Sequence, residues 1–184
     1  FAGELLPRTI AYYQQRTSDG STLSRVVSSW VLARLDRPRS LALLKDALAS
    51  DIADVQGGTT AEGIHLGAMA GTVDLVQRGQ TGLEIRGGCL RLNPSLPHRL
   101  RGLHLRLRYR GHWLELAISS SGMTLEAAEG WEGPGQVMAG NQVHDFMAGQ
   151  CLTFHYRGPD KGWHLGSLSV PDNSDNVGHP DPAA

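Results

Sequence analysis

Thr59–Gly79, TTAEGIHLGAMAGTVDLVQRG, decides the reading of this chain, because the residues before it have helical periodicity and those after it alternate like strand. Thr59 and Thr60 can cap a helix through their hydroxyls, and Glu62 then falls in the first turn, where a carboxylate meets the positive end of the helix dipole. Leu66, Met69, Ala70, Val73 and Val76 recur at three- and four-residue spacing, while Ile64, Ala68, Gly71 and Leu75 fill much of the other side. A helix apolar nearly all round is expected to be buried, here over Glu62–Gly79. Gly67 and Gly71 form a small-xxx-small pair, which in a soluble protein points to close helix packing. Glu62 and His65, three apart on one face, come after a Gly57–Thr60 Gly-Gly-Thr-Thr lead-in. The simplest account of His65 is a hydrogen-bonded structural residue at a helix start, and of Glu62 a stabiliser of that terminus.

The totals exclude several classes. With 184 residues, 40% hydrophobic content and a formal net charge of −1, the chain can bury a core and lies outside the disordered range. The balanced charge argues against nucleic-acid binding, which needs a basic excess or patch. No apolar run approaches the roughly 20 residues that span a bilayer, so no membrane partner is expected. Cys89 and Cys151 match no zinc-ligand spacing and no disulfide framework; free thiols in a reducing, cytoplasmic compartment are expected. The chain shows no signal peptide and begins at Phe1 in mid-pattern, which suggests a piece of something longer.

Outward from the central stretch, a short helix is expected near residues 4–15, a second over Thr22–Arg34 with Leu23, Val26, Val27, Trp30 and Val31 as its stripe, and a third from Pro38 with Leu41, Leu44 and Leu48 inward. From Thr81 the period becomes two. Gly87-Gly88 suits the turn of a hairpin, and Leu103, Leu105, Leu107 and Tyr109 alternate with His104, Arg106, Arg108 and Arg110 before an Arg110-Gly111 turn into a partner strand. The arginines are best read as the solvated outer face of a sheet. Further strands are expected at Met123–Ala127, Gln136–Met138, Gln142–Phe146 and Cys151–Tyr156, as in a β-sandwich. Residues 157–184, rich in Gly, Pro, Asp, Asn and Ser, read as a flexible tail.

No nucleophile elbow, P-loop, HExxH or dinucleotide fingerprint occurs. Two helix starts remain as chemistry. At Asp19-Gly-Ser-Thr-Leu-Ser, the residues Gly20, Ser21, Thr22 and Ser24 bring hydroxyls and backbone N–H groups to a helix N-terminus, a geometry that also serves anions. An ordinary Ser/Thr cap is the plainer account. The Gly57–His65 segment is the other.

Taken together, GSTLSRVVSSWVLARLDR (Gly20–Arg37), the run Asp51–Gly79 and TGLEIRGGCLRLNPSLP (Thr81–Pro97) resemble the C-terminal part of glycoside hydrolase family 65, the maltose, kojibiose and trehalose phosphorylases. The likeness extends through LRYRGHWLELAI and, less clearly, to Tyr156. It implies an α+β chain: residues 1–79 as the last helices of an (α/α)6 barrel and residues 80–156 as a small C-terminal antiparallel β-sandwich. It also implies inverting cleavage of an α-glucosidic disaccharide in carbohydrate metabolism, with no cofactor and with inorganic phosphate as co-substrate and nucleophile. Gly20, Ser21, Thr22, Ser24 and His65 match the phosphate-side positions, with Glu62 supporting His65. The family's general-acid Glu lies upstream of the stretch matched, so no catalytic residue is assigned here and the piece is expected to be inactive alone. The implied partners are disaccharide, phosphate, the upstream part of the same polypeptide and, as a further state, a homodimer. Asp19 and Ser28 stand where the family commonly has His, and a carboxylate at Asp19 would repel an anion. The rival expectation is a non-catalytic carbohydrate-binding or scaffold β-sandwich that uses Trp113, Trp131 or Trp163 as exposed platforms.

Overall fold

A computed structural model describes residues 4–18, 20–54, 57–58, 61, 63–130 and 133–170. The chain divides into two compact units, residues 1–101 and 102–184. In the first, α1 spans Leu5–Gln14, α2 Thr22–Leu32 and α3 Arg37–Ala49. Each boundary has a local cause. Extended Ser21 caps α2 by accepting from Leu23 N–H at 3.3 Å, and Asp36 caps α3 by accepting from Arg39 N–H at 3.0 Å, with Pro38 in the first turn. The helix α2 stops at Leu32, two residues short of expectation.

Helices α2 and α3 run antiparallel, since Ser29, late in α2, meets Ser40 in the first turn of α3, while Arg25, early in α2, meets Asp46, late in α3, at 3.2 Å. Ser29 Oγ donates to Ser40 O at 2.7 Å and Ser40 Oγ to Ser29 O at 2.8 Å, both residues fully buried. This exchange satisfies two hydroxyls that would otherwise cost free energy in the core. It also corrects the expected inner face of α3. Ser40, Leu44 and Ala47 are the buried residues, whereas Leu48 is 51% exposed. The serine pair brings the Ser40 side of the helix inward and turns Leu48 outward.

The central helix differs most from expectation. α4 spans Leu66–Asp74 and continues as a π-helix over Leu75–Gln80, with His65 as its N-cap residue and no side-chain cap of its own. Thr59, Thr60 and Glu62, expected as cap and first turn, lie outside the described residues. Gly63 has φ +97, a left-handed conformation that interrupts any helix running from Glu62 to Leu66, so His65 precedes the first turn. Nor is α4 buried all round: Ala68 and Leu75 join Val26, Leu44 and Ala47 in one core, while Leu66 is 76% and Val73 61% exposed.

Gly71 explains how α4 reaches that core. A Cβ there would stand 2.5 Å from Val26 Cγ1, and Gly79 lies against Ala33, its notional Cβ 3.5 Å from Ala33 Cβ. Earlier residues meet earlier residues and later meet later, so α2 and α4 run parallel. Gly67, the other half of the small-residue pair, faces open space.

The hairpin β1 (Glu84–Arg86) and β2 (Cys89–Leu92), turning at Gly87-Gly88, belongs to this first unit, whereas the expected division fell at residue 79. Arg34 pairs with Glu84 at 3.1 Å, and the Arg37 guanidinium donates to Asn93 O at 2.7 Å, binding the segment to the ends of α2 and α3. Cys89 is buried and Cys151 half-buried, and both thiols are free.

In the second unit, β3 (Gly102–Tyr109), β4 (His112–Ser119), β5 (Gly122–Ala127), β8 (Cys151–Tyr156) and β9 (Trp163–Ser169) form an antiparallel sheet in the order β3-β4-β5-β8-β9. Leu114, Leu116, Met123, Leu125, Leu152 and Phe154 are its buried face, and Arg106 faces Glu115 on the other. The hairpin β6 (Gly135–Ala139) and β7 (Gln142–Phe146) lies over the buried face, with His144 edge-on to Phe154 at 5.7 Å between centroids. Strand β9 was not expected: it falls inside the stretch read as tail. It pairs along β8 through Trp163, which is 4% exposed.

Gly71→Ala is expected to destabilise the first unit by about 1–3 kcal/mol, the usual cost of overpacking. Val26→Ala in the same chain should return part of that loss by opening space, a non-additivity that denaturant unfolding of the two single variants and the double variant would measure.

Candidate functional site

Because α2 and α4 are parallel, both present their N-termini at one end, and antiparallel α3 delivers its C-terminus and Asp51 there. Asp51 links α3 to α4. His65 Nδ1 lies 2.6 Å from Asp51 Oδ1, and the His65 backbone N–H donates to the same carboxylate at 3.1 and 3.3 Å. The carboxylate thus supplies from another element the cap that α4 lacks. Both side chains are largely enclosed, 21% exposed for His65 and 13% for Asp51.

The bond from the His65 ring, reinforced by its backbone N–H and charge, holds the Asp51 carboxyl below its ordinary 3.8, against desolvation acting upward. An ionised carboxylate only accepts, so the shared proton resides on Nδ1 and the second ring nitrogen, Nε2, lies on the opposite side of the imidazole. The intervening loop is tied in the same way. Gly57 and Gly58 adopt φ +76 and +111, and Gly58 N–H donates to Asp54 at 2.6 Å.

At the start of α2 the residues diverge. Ser21 Oγ accepts from Leu23 N–H, which leaves its O–H to donate, and Ser24 N–H is engaged with Ser21 O at 3.0 Å. Ser21 and Ser24 line a cleft of about 500 Å³ between α1 and α2, shared with Ile10, Tyr13, Val27 and Ser28. Thr22 is buried on the side of α2 that carries Val26 and Ser29, and Gly20 is exposed. The two helix starts are therefore brought to one end, but the cleft is lined by Ser21 and Ser24 without His65. Glu62 and Asp19 lie outside the described residues. Asp51 was quoted within the motif without a role; it stands 14 residues before His65, a separation no helical or strand spacing links, so only the fold joins them. Among the described residues no group of three or more His, Cys, Asp or Glu could hold a metal ion, and no helix is long and apolar enough to cross a membrane.

This arrangement coincides with two family models. Residues 1–74 match the glycosyl hydrolase family 65 central catalytic domain, and residues 83–145 match the C-terminal domain of the same family. The chain belongs to glycosyl hydrolase family 65. An uncharacterized glycosyl hydrolase of Mycobacterium tuberculosis is 48% identical over 152 residues, 83% of this chain and 12% of that protein. The trehalose 6-phosphate phosphorylase of Lactococcus lactis is 38% identical over 118 residues, 64% of this chain and 15% of that protein. A solved chain described as a putative kojibiose phosphorylase from human microbiome superposes with a TM-score of 0.72 at 18% identity, over 84% of this chain and 20% of that one, and shows the shared fold. The chain spans about an eighth to a fifth of the length of these relatives. Family and fold agree on a mixed helix-and-sheet chain.

The Asp51 carboxylate carries a pH consequence. Its folded-state pKa is depressed, so its contribution to stability is complete above 3.8 and is lost as pH falls through the lower folded value. Wild type is therefore expected to exceed Asp51→Asn in unfolding free energy at about pH 6, with the gap narrowing at about pH 3. Denaturant titrations at the two pH values check the sign. A gap that widens on acidification would contradict it.

Proposed function

We propose that this chain works as the C-terminal part of an inverting disaccharide phosphorylase acting on an α-glucosidic bond of the maltose, kojibiose or trehalose type. Its helices would be the last of an (α/α)6 barrel and its strands the C-terminal β-sandwich. The observation that carries the reading is the shared end of α2 and α4, where a family 65 motif brings the Ser21 and Ser24 hydroxyls and the Gly20 backbone to one helix start and the Asp51-held His65 to the other, with Thr22 a buried hydroxyl on the Val26 side of α2. Two parallel helix N-termini with hydroxyl donors favour an anion by dipole and by hydrogen bond. Supporting roles go to Glu62 and to further segments of a longer polypeptide, whose packing would cover the exposed Leu66 and Val73 of α4.

In the reaction, a phosphate oxygen forms a bond to the anomeric carbon as the glycosidic C–O bond breaks on the opposite ring face. The departing sugar oxygen takes a proton from an acid outside this chain. Phosphate brings its own negative charge, so a water-activating base is not required, and the residues of this chain have the task of holding and orienting it. No cofactor enters. The work of the enzyme would be cytoplasmic carbohydrate metabolism, with homodimer formation a separate proposal.

The rival, a carbohydrate-binding module with tryptophan platforms, finds less support. Trp163 is buried, Trp131 lies outside the described residues, and the exposed Trp113 has the Arg106 guanidinium 4.7 Å from its ring centroid. An occupied ring face is a poor sugar platform.

The test is disaccharide cleavage by the full-length enzyme with and without phosphate, with the product identified. Formation of a sugar phosphate is expected. His65→Ala should weaken phosphate use about ten- to a hundredfold, the loss of a charge-assisted contact, with a smaller effect on disaccharide binding. Release of free sugar only, at a rate indifferent to phosphate, would sink the phosphorylase reading. In that event Asp19→His, which removes a repulsive charge, is the variant expected to restore phosphate dependence.

A further inference from the structure

We propose that β3 is the docking edge for a further strand, an extended segment whose carboxylates alternate with apolar residues, supplied by the part of the polypeptide outside this chain. This rests on one part of the reading above, that the chain works within a longer polypeptide. β3 stands at one edge of the five-stranded sheet, and among the described residues it ladders with β4 alone. Alternate N–H and C=O groups of such an edge point away from the sheet and form a template for another strand. Edges are ordinarily blunted by short length, proline or a bulge. The far edge follows that rule, since β9 has a register shift against β8 at Thr153/Phe154. β3 does not: it runs eight residues without proline and pairs with β4 in unbroken register.

Both faces of this edge are unfinished. On the inner face Leu103, Leu105 and Leu107 are half-buried, whereas Leu114 and Leu116 on β4 are fully buried, so the apolar layer stops short at β3. On the outer face His104, Arg106 and Arg108 recur at every second residue, about 7 Å apart, and all three are exposed. Among the described residues Glu115 is the one carboxylate paired with this row, 3.5 Å from His104 and 4.0 Å from Arg106. Positive charge is left over. Charged side chains can themselves guard an edge, but these guanidiniums lie back over the sheet, 4.7 and 5.8 Å from the Trp113 ring centroid, with Arg108 Nε donating to Gly111 O at 3.2 Å. A strand laid along β3 with apolar residues opposite the leucines and carboxylates opposite the basic row completes both faces, because cross-strand pairs of opposite charge stabilise a sheet.

The charge pattern selects the occupant. A second copy offering its own β3 would set arginine against arginine, and like charges directly opposite are destabilising. No described strand carries two carboxylates at alternate positions, and residues 171–184 hold a single large apolar residue, Val177, against three leucines. A polypeptide of the relatives' length, of which this chain spans about an eighth to a fifth, has ample sequence to supply the strand.

The experiment is amide hydrogen exchange on the full-length enzyme. The outward amides of Gly102–Tyr109 are expected to exchange as slowly as those of β4, and Arg106→Glu with Arg108→Glu should speed them about tenfold while β5 amides keep their rates. Should the double reversal unfold the sheet, Arg108→Lys serves instead. It retains the charge and gives an amine that carbodiimide couples to a carboxylate in contact, expected to be one in an acidic segment of the same polypeptide outside residues 1–184. Exchange of β3 faster than β4, as at a free edge, overturns the proposal, and so does slow exchange that survives the charge reversal. No coupling, coupling to Glu115 alone or coupling to a separate protein overturns it as well. An enzyme that forms sugar phosphate while β3 exchanges freely keeps the function proposed above and loses this docking. Protection lost with the charges, in an enzyme that releases only free sugar, does the reverse.

Discussion

The close approach of α2 and α4 at Gly71 is the constraint on which the helical unit depends. With no side chain there, Val26 occupies the space a Cβ would need, and the second contact between Gly79 and Ala33 keeps the same register down the pair. Parallel packing is the consequence. Had α4 returned antiparallel, its N-terminus and His65 would stand at the far end of α2 from Ser21. A glycine chosen for packing thus determines where hydrogen-bond donors gather.

The polar contacts of this unit complete the arrangement. Ser29 and Ser40 hold the second half of α2 to the first turn of α3, each hydroxyl donating to the other residue's carbonyl, so their helices cannot slide without stranding buried donors. That fixed register is what brings the end of α3, and Asp51 with it, opposite the start of α4. At the other end Arg37 reaches Asn93 O and Arg34 reaches Glu84, which ties the β1–β2 hairpin to the helices that the sequence division had separated from it.

Much of this was legible in periodicity and caps. The Ser21 cap, the Gly87-Gly88 hairpin and the β3–β4 alternation are decided by residues within a few positions of one another, and local spacing finds such features. What escaped was decided at a distance. The face of α3 turned on a serine whose partner lies 11 residues away, and the start of α4 on a single left-handed glycine inside an otherwise helical pattern. Strand β9, WHLGSLS, looked like tail because its apolar content is low. It is ordered by pairing with Cys151–Tyr156 and by one buried tryptophan. At the shared end of α2 and α4, Ser21, Ser24 and His65 stand in the motifs read from sequence, whereas the contact of Asp51 with His65 joins positions 14 apart and has no local sequence signal.

The Asp51–His65 pair also bears on how an anion would be held. A carboxylate near an anion is ordinarily a liability, because like charges repel. Asp51 differs because its charge is already engaged by the ring and the backbone N–H of one residue. A carboxylate so engaged serves the fold first: it joins the end of α3 to the start of α4 and directs its charge onto one residue.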